Sequence, residues 1–227
     1  MDKGVTIIMP VLHRVEGMEK VIKSAIENTL NVYFILIRSL GEVAVDQEMK
    51  RLFALYDNVE YRHVTVPPGP GDYARKLNLA VPLVFTEWFL AGADDIRFHP
   101  NWFENAMNVA TPNIHVIGTN DLGNPRVMQG RHSTHPLIRT SYAMEKGLTI
   151  DNKPGEVMSP SYWHEYMDDE LIGVANKRQI WAFAKDSIVE HLHPNWGKAP
   201  TDPSYDEQAM RMVYSRSVYH QRRRAWM

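Results

Sequence analysis

Short apolar runs alternating with helix-period stripes restrict this chain more than any other feature. Residues 5–9, 32–38 and 88–91 are near-continuous apolar stretches of strand length, the pattern of strands buried on both faces. Between the first two, Met18, Val21, Ile22, Ala25, Ile26 and Leu30 recur at helical spacing. Val45, Met49, Leu52, Phe53 and Tyr56 repeat the stripe, residues 59–66 alternate as a third strand, and Pro and Gly crowd residues 67–71. Tyr73, Leu77, Ala80 and Val81 mark a short helix before residues 88–91. Strands alternating with helices of this length imply βαβ units: one α/β domain with a mostly parallel central sheet flanked by helices.

The second half is less regular. Trp102, Phe103, Ala106, Met107 and Ala110 form a helical stripe, and residues 114–118 read as a strand. From 120 to 160 periodicity fades while Gly, Pro, Asn and Ser accumulate, which predicts loops and short strands over the ligand edge. Trp163, Met167, Leu171 and Val174 share one face of a helix; residues 180–184 and 188–192 read as two short strands; residues 205–225 predict a peripheral helix.

Bulk properties remove several function classes. A net charge of −2 gives no global attraction to nucleic acid or anionic membranes, and Arg222, Arg223 and Arg224 read as a solvated helix end. The absence of cysteine excludes disulfides, thiolate metal sites and cysteine nucleophiles. No apolar stretch approaches the roughly 20 residues of a membrane span, and the first residues lack the marks of a secretory signal. A cytoplasmic location is the expectation.

The most chemically loaded stretch is residues 86–100. Its strand breaks at Gly92 and delivers Asp94 and Asp95 to the strand's carboxyl end, where open α/β sheets bind ligands. Two adjacent hard oxygen ligands suit Mg²⁺ or Mn²⁺ holding a substrate's phosphates; a solvated acidic turn is the competing reading. Asp168, Asp169 and Glu170 either perform chemistry or simply favour a helix's first turn. His191 and His193 lie two apart on one strand face, as metal ligands or as edge histidines. His132 and His135 sit in a non-helical segment and read as loop residues.

The order of residues 5–14, 71–80, 88–103, 168–171 and 189–194 resembles the GT-A nucleotide-sugar glycosyltransferases, most closely the inverting enzymes of family 2. The resemblance covers roughly residues 4–198, and it implies a Rossmann-like domain over 1–200. The nucleotide-binding half would be about 1–100, the acceptor half about 101–200, and 201–227 a helical tail. By that resemblance Pro10, Val11 and Arg14, with Glu16, line the nucleobase pocket, and Arg75 and Asn78 approach the nucleotide. Asp95 is the direct ligand of Mn²⁺ or Mg²⁺, with Asp94 nearer the ribose. His193 supplies the last metal ligand in preference to His191, and Lys198 touches the diphosphate. Asp168 is the catalytic base with Asp169 its rival, and Trp163 and His164, beside Tyr162, line the acceptor pocket. Ala93 stands where relatives often carry a third acid, and Ser39 where many place an acid against the base.

Three functions follow as candidates. One is metal-dependent transfer of a sugar from a nucleoside-diphosphate donor to an acceptor hydroxyl with inversion; the acceptor class (glycan, lipid, protein or small molecule) stays open. Another is a non-catalytic module of the same fold that binds a nucleotide sugar or glycan, which Ala93 and Ser39 favour. The third, a sugar-nucleotide nucleotidylyltransferase, calls for a Gly-rich basic loop after the first strand, where residues 10–17 hold one glycine and one arginine.

Overall fold

The computed structural model describes residues 2–201 and 208–227. An eight-stranded sheet runs through it, built from β1 (Asp2–Pro10), β2 (Val32–Arg38), β3 (Val59–His63), β4 (Thr86–Ala91), β5 (Ile96–Phe98), β6 (Val116–Asn120), β7 (Leu137–Arg139) and β8 (Trp181–His191). Their spatial order is β3-β2-β1-β4-β7-β6-β8-β5. The β3-β2-β1-β4 block is parallel. β7 is antiparallel to both β4 and β6, so β6 and its parallel neighbour β8 point the same way as β4. Six strands therefore end at one edge. The chain turns from β1 to β2 on one side and returns to β4 on the other, and ligands bind at such a reversal.

The apolar runs are explained by two cores. Val5, Ile7 and Met9 of β1, with Trp88 and Leu90 of β4, pack with α1 (Met18–Asn28), α2 (Val43–Leu55) and α4 (Trp102–Met107). Ile8, Phe89 and Ala91 face the other way, onto α3 (Asp72–Ala80), α6 (Thr140–Lys146) and α7 (Met167–Lys177). With both faces covered the strands are largely apolar, the buried Thr6 and Thr86 bonding each other at 2.8 Å, and each buried large apolar side chain contributes about 1.5–3 kcal/mol.

Several boundaries depart from the sequence expectation. The α1 stripe ends early: the helix stops at Asn28, and Leu30 is 83% exposed. The two short strands expected at 180–184 and 188–192 are one strand, β8, whose pairing with β6 shifts register between Gly118 and Asn120. β5 and β7 are three-residue strands, too short to carry a period. α7 starts at Met167, not near Trp163, because Tyr166 adopts a left-handed conformation at φ 68°. Finally, α8 (Gln208–Arg222) is docked, with Ser215 wholly buried and Arg222 only 15% exposed. The solvated-end reading of the basic run fails for Arg222, since it neutralises buried acid. Residues 202–207 of the expected tail lie outside the described residues.

Candidate functional site

The loop after β4 is held to its neighbours by backbone. Gly92 N donates to Ile8 O (2.8 Å) and Leu192 N to Asp95 O (2.8 Å), which ties the Asp94–Asp95 turn to the ends of β1 and β8. Gly17 lies so close that a Cβ there would stand 1.9 Å from the Asp94 carbonyl oxygen. A side chain at 17 would push the turn away. The Arg14 guanidinium reaches Asp95 Oδ2 at 2.7 Å and Asp94 Oδ1 at 3.6 Å. His191 Nε2 lies 3.5 Å from Asp95 Oδ1. Burial works against Asp95's charge, but His191 and Arg14 outweigh it and hold the carboxyl far below its ordinary value. Asp94 shifts the other way, raised by burial and by the neighbouring Asp95 charge. The pair carries one firm negative charge and demands a cation, a place Arg14 fills here.

A row of imidazoles continues from Asp95. The His135 and His191 rings are 5.0 Å apart, and His191 and His193 4.9 Å. His135 Nδ1 donates to Ala91 O at 3.1 Å, which leaves Nε2 as the lone-pair nitrogen. That atom is buried without a hydrogen-bond partner. Burial pushes His135 and His193 down to about 4, so both are neutral, the form that ligates metals. Carboxylate oxygen with neutral imidazole is a donor set that fits a divalent metal ion. His191 is the histidine against Asp95; His193 Nδ1 instead accepts from Asn195 N at 3.1 Å.

The acids at the head of α7 divide into three roles. Asp168 Oδ2 faces His132 Nε2 at 2.9 Å, with its side chain 27% exposed. Asp169 pairs with Arg126 at 2.6 Å. Oxygens of Asp168 and Asp169 and a nitrogen of His132 lie within 4.8 Å of one another, a spacing that fits a cation. Arg126 and the His132–Asp168 contact already satisfy that charge. Tyr73, which donates to Gly92 O at 2.9 Å, lies in the field of Asp168, Asp95 and Asp94 together. Its ring meets His164 edge-on at 5.9 Å.

Glu170 is structural. It is 1% exposed and accepts from Tyr162 Oη (2.8 Å), Ile150 N (3.1 Å) and two Arg222 nitrogens (2.7 Å each). Glu170→Ala should cost about 3–5 kcal/mol of unfolding free energy, because it leaves Arg222 with its main counter-charge removed. Asp169→Ala, whose partner Arg126 is half exposed, should cost at most about 1 kcal/mol. Urea unfolding of both variants checks the contrast.

Other expected site residues are committed elsewhere. Val11 is buried, and its carbonyl accepts from Lys76 Nζ at 2.6 Å. Pro10 closes β1 beside it. Ser39 is buried and donates to Asp72 Oδ1 at 2.5 Å, while Asp72 Oδ2 pairs with Lys76 at 2.5 Å. An acid thus reaches the end of β2 from α3, a contact that no local pattern signals. Arg75 turns to Pro70 O and, at 3.5 Å, Asp72. Asn78 staples residues 157 and 158 through three hydrogen bonds. Lys198 binds Glu190 at 2.9 Å and Leu122 O at 3.1 Å. Glu16 is exposed on the β1–α1 loop. The backbone N–H of Trp163 donates to Ser215 Oγ at 3.1 Å, and His164 is exposed beside it. His132 and His135 lie in a loop, as expected, but His132 meets Asp168 and His135 meets Ala91 O and His191; only their three-residue spacing hinted at a role.

No family model matches the chain, and no curated protein matches it in sequence. Solved structures do match. A mannosyltransferase from Pyrobaculum calidifontis, in complex with GDP-Man and Mn²⁺, superposes with a TM-score of 0.67 at 13% identity over 96% of this chain and 64% of that one. S. aureus TarS 1-349 in complex with UDP-GlcNAc gives 0.61 at 12% identity over 93% and 66%. Glucosyl-3-phosphoglycerate synthase from Mycobacterium tuberculosis, with Mn²⁺, UDP-Glc and phosphoglyceric acid, gives 0.57 at 12% identity over 96% and 79%. The chain spans about two-thirds of the length of the first two. It has the GT-A fold of nucleotide-sugar glycosyltransferases. Among the described residues, no helix is long and apolar enough to cross a membrane.

Proposed function

We propose that the protein is a metal-dependent glycosyltransferase that moves a sugar from a nucleoside diphosphate to an acceptor hydroxyl with inversion. The observation that carries the reading is the convergence at one sheet edge of a cation-demanding acid pair, neutral histidines and a separate carboxylate at the head of α7. Residues 1–100 would hold the donor and 101–200 the acceptor. Asp95 with His191 or His193 would hold Mn²⁺ or Mg²⁺, which when bound neutralises charge on the departing diphosphate. Arg14, beside the same acid pair, would supply further positive charge to those phosphates. Asp168 takes the proton from the acceptor hydroxyl as its oxygen bonds to the anomeric carbon. The bond from that carbon to the diphosphate oxygen breaks on the opposite face, and its electron pair leaves with the diphosphate. Tyr73 and His164 line the space between the two acids.

A thermal-shift screen of UDP-, GDP-, dTDP- and CMP-sugars tests the donor class. One of them with Mn²⁺, at 100 times its dissociation constant, should add roughly 2.7 kcal/mol of stability. The gain should vanish in EDTA. A screen with no stabilising nucleotide sugar would remove the donor assignment, and binding without release of nucleoside diphosphate would favour the non-catalytic module.

A further inference from the structure

We propose that His132 is the positioning residue of the Asp168 base: its Nε2, 2.9 Å from Asp168 Oδ2, fixes the carboxylate toward the acceptor side and balances its charge. The inference deepens the glycosyltransferase reading and rests on the assignment of Asp168 as base.

The geometry is built for this. His132 is 2% exposed and follows α5 (Pro125–Met128) on a segment pinned to β6. Thr119 N donates to Ser133 Oγ at 3.1 Å, and Thr119 Oγ1 donates to His135 O at 2.7 Å. Both anchors lie just C-terminal to the ring, and on its N-terminal side Arg131 N donates to Arg126 O at 2.9 Å. Its second nitrogen, Nδ1, is buried without a hydrogen-bond partner. Leaving that nitrogen unmatched costs free energy, so among the described residues the hydrogen bond to Asp168 is the one polar contact that accounts for the ring's place. Here the imidazole spends its single contact on one oxygen of one carboxylate. Asp168 Oδ1 accepts Asp169 N at 3.0 Å. Each oxygen keeps a lone pair for an incoming hydroxyl, and the partial exposure of Asp168 gives that hydroxyl access.

The groups facing this pair set its charge. Asp169 and Arg126 stand on the His132 side. Tyr73 of α3, and His164 and Glu165 before α7, stand on the Asp168 side. Burial lowers the His132 pKa, but Asp168 and then Asp169 raise it against Arg126, and the net shift is upward. Asp168 moves down, held there by His132 against its burial. As pH rises above 6.5, the ordinary value for His132, the ring loses its charge. It still donates Nε2–H, and Asp168 becomes the stronger base. Turnover should rise through that ionisation.

The test measures nucleoside-diphosphate release from UDP-glucose, UDP-N-acetylglucosamine and GDP-mannose with Mn²⁺, water serving as acceptor, across pH. It is paired with ¹⁵N NMR of the imidazoles. His132→Ala should lower kcat about 10- to 100-fold, part of the roughly 10²–10⁴ that a general base supplies, with donor KM unchanged. His132→Gln keeps one N–H donor; it should recover most of the rate and lack the limb above pH 6.5. In the spectra, the His132 ring should titrate above 6.5 in the wild type and fall back in Asp168→Asn. The proposal is overturned if both His132 variants keep the wild-type rate and profile, or if the ring titrates identically with Asn at 168. It is equally overturned if kcat and KM deteriorate together with a lowered Tm, which marks a structural role. A wild type that turns over neither these three donors nor any other nucleotide sugar of the thermal-shift screen, with the NMR coupling intact, overturns the glycosyltransferase reading and the positioning role while leaving the ion pair.

Discussion

Asp168→Asn should bind the donor with near wild-type affinity and lose transfer by about 10²- to 10⁴-fold, the range a general base supplies. The substitution keeps the side chain's shape and its contact with His132 while removing the charge that accepts the proton. It leaves the Asp94–Asp95 turn intact, since that turn is held by Gly92 N on Ile8 O and by Leu192 N on Asp95 O. Asp169→Asn is the internal control and should be much milder, because Asp169 is engaged by Arg126 at 2.6 Å. Steady-state kinetics with an acceptor, alongside donor binding by calorimetry, separates the two variants. If Asp169→Asn is the dead variant, the base lies one position on. If both turn over normally, the acids at the head of α7 serve only the helix.

Much of residues 1–100 was legible because β1, β2 and β4 are buried on both faces and the helices on one. The runs at 5–9, 32–38 and 88–91 had one consistent periodicity each, and the cores they form explain why. The position of Asp94 and Asp95 at the strand's end was legible because the apolar run breaks at Gly92, but their contact with Arg14, 80 and 81 residues away in sequence, was not. Residues 101–200 were harder to read. β7 and β5 have three residues each, and Tyr166 breaks a helical stripe that reads as continuous from Trp163. His132 and His135 carry no local pattern, since their partners Asp168, Ala91 and His191 lie 36, 44 and 56 residues away in sequence. Glu170 shares a motif with Asp168, yet its partner Arg222 arrives on α8, 52 residues further on. Adjacent acids in one helical turn point to different neighbours, and sequence spacing assigns them no roles.

The central claim is that Asp95 makes donor binding depend on a divalent cation. Two ionised phosphates beside Asp94 and Asp95 repel them unless positive charge lies between, and Arg14 already stands 2.7 Å from Asp95. Asp95→Ala also leaves Arg14 beside Asp94 at 3.6 Å, its positive charge still at the turn. Cation dependence is therefore a cleaner readout than affinity alone. Calorimetry of UDP and GDP, each with Mn²⁺ and with EDTA, on wild type and Asp95→Ala, measures it directly. The wild type should bind one nucleotide at least about tenfold more tightly with Mn²⁺, a difference of about 1.4 kcal/mol, and Asp95→Ala should show almost none of that gain. Equal affinity with Mn²⁺ and with EDTA, in both proteins, would contradict the account.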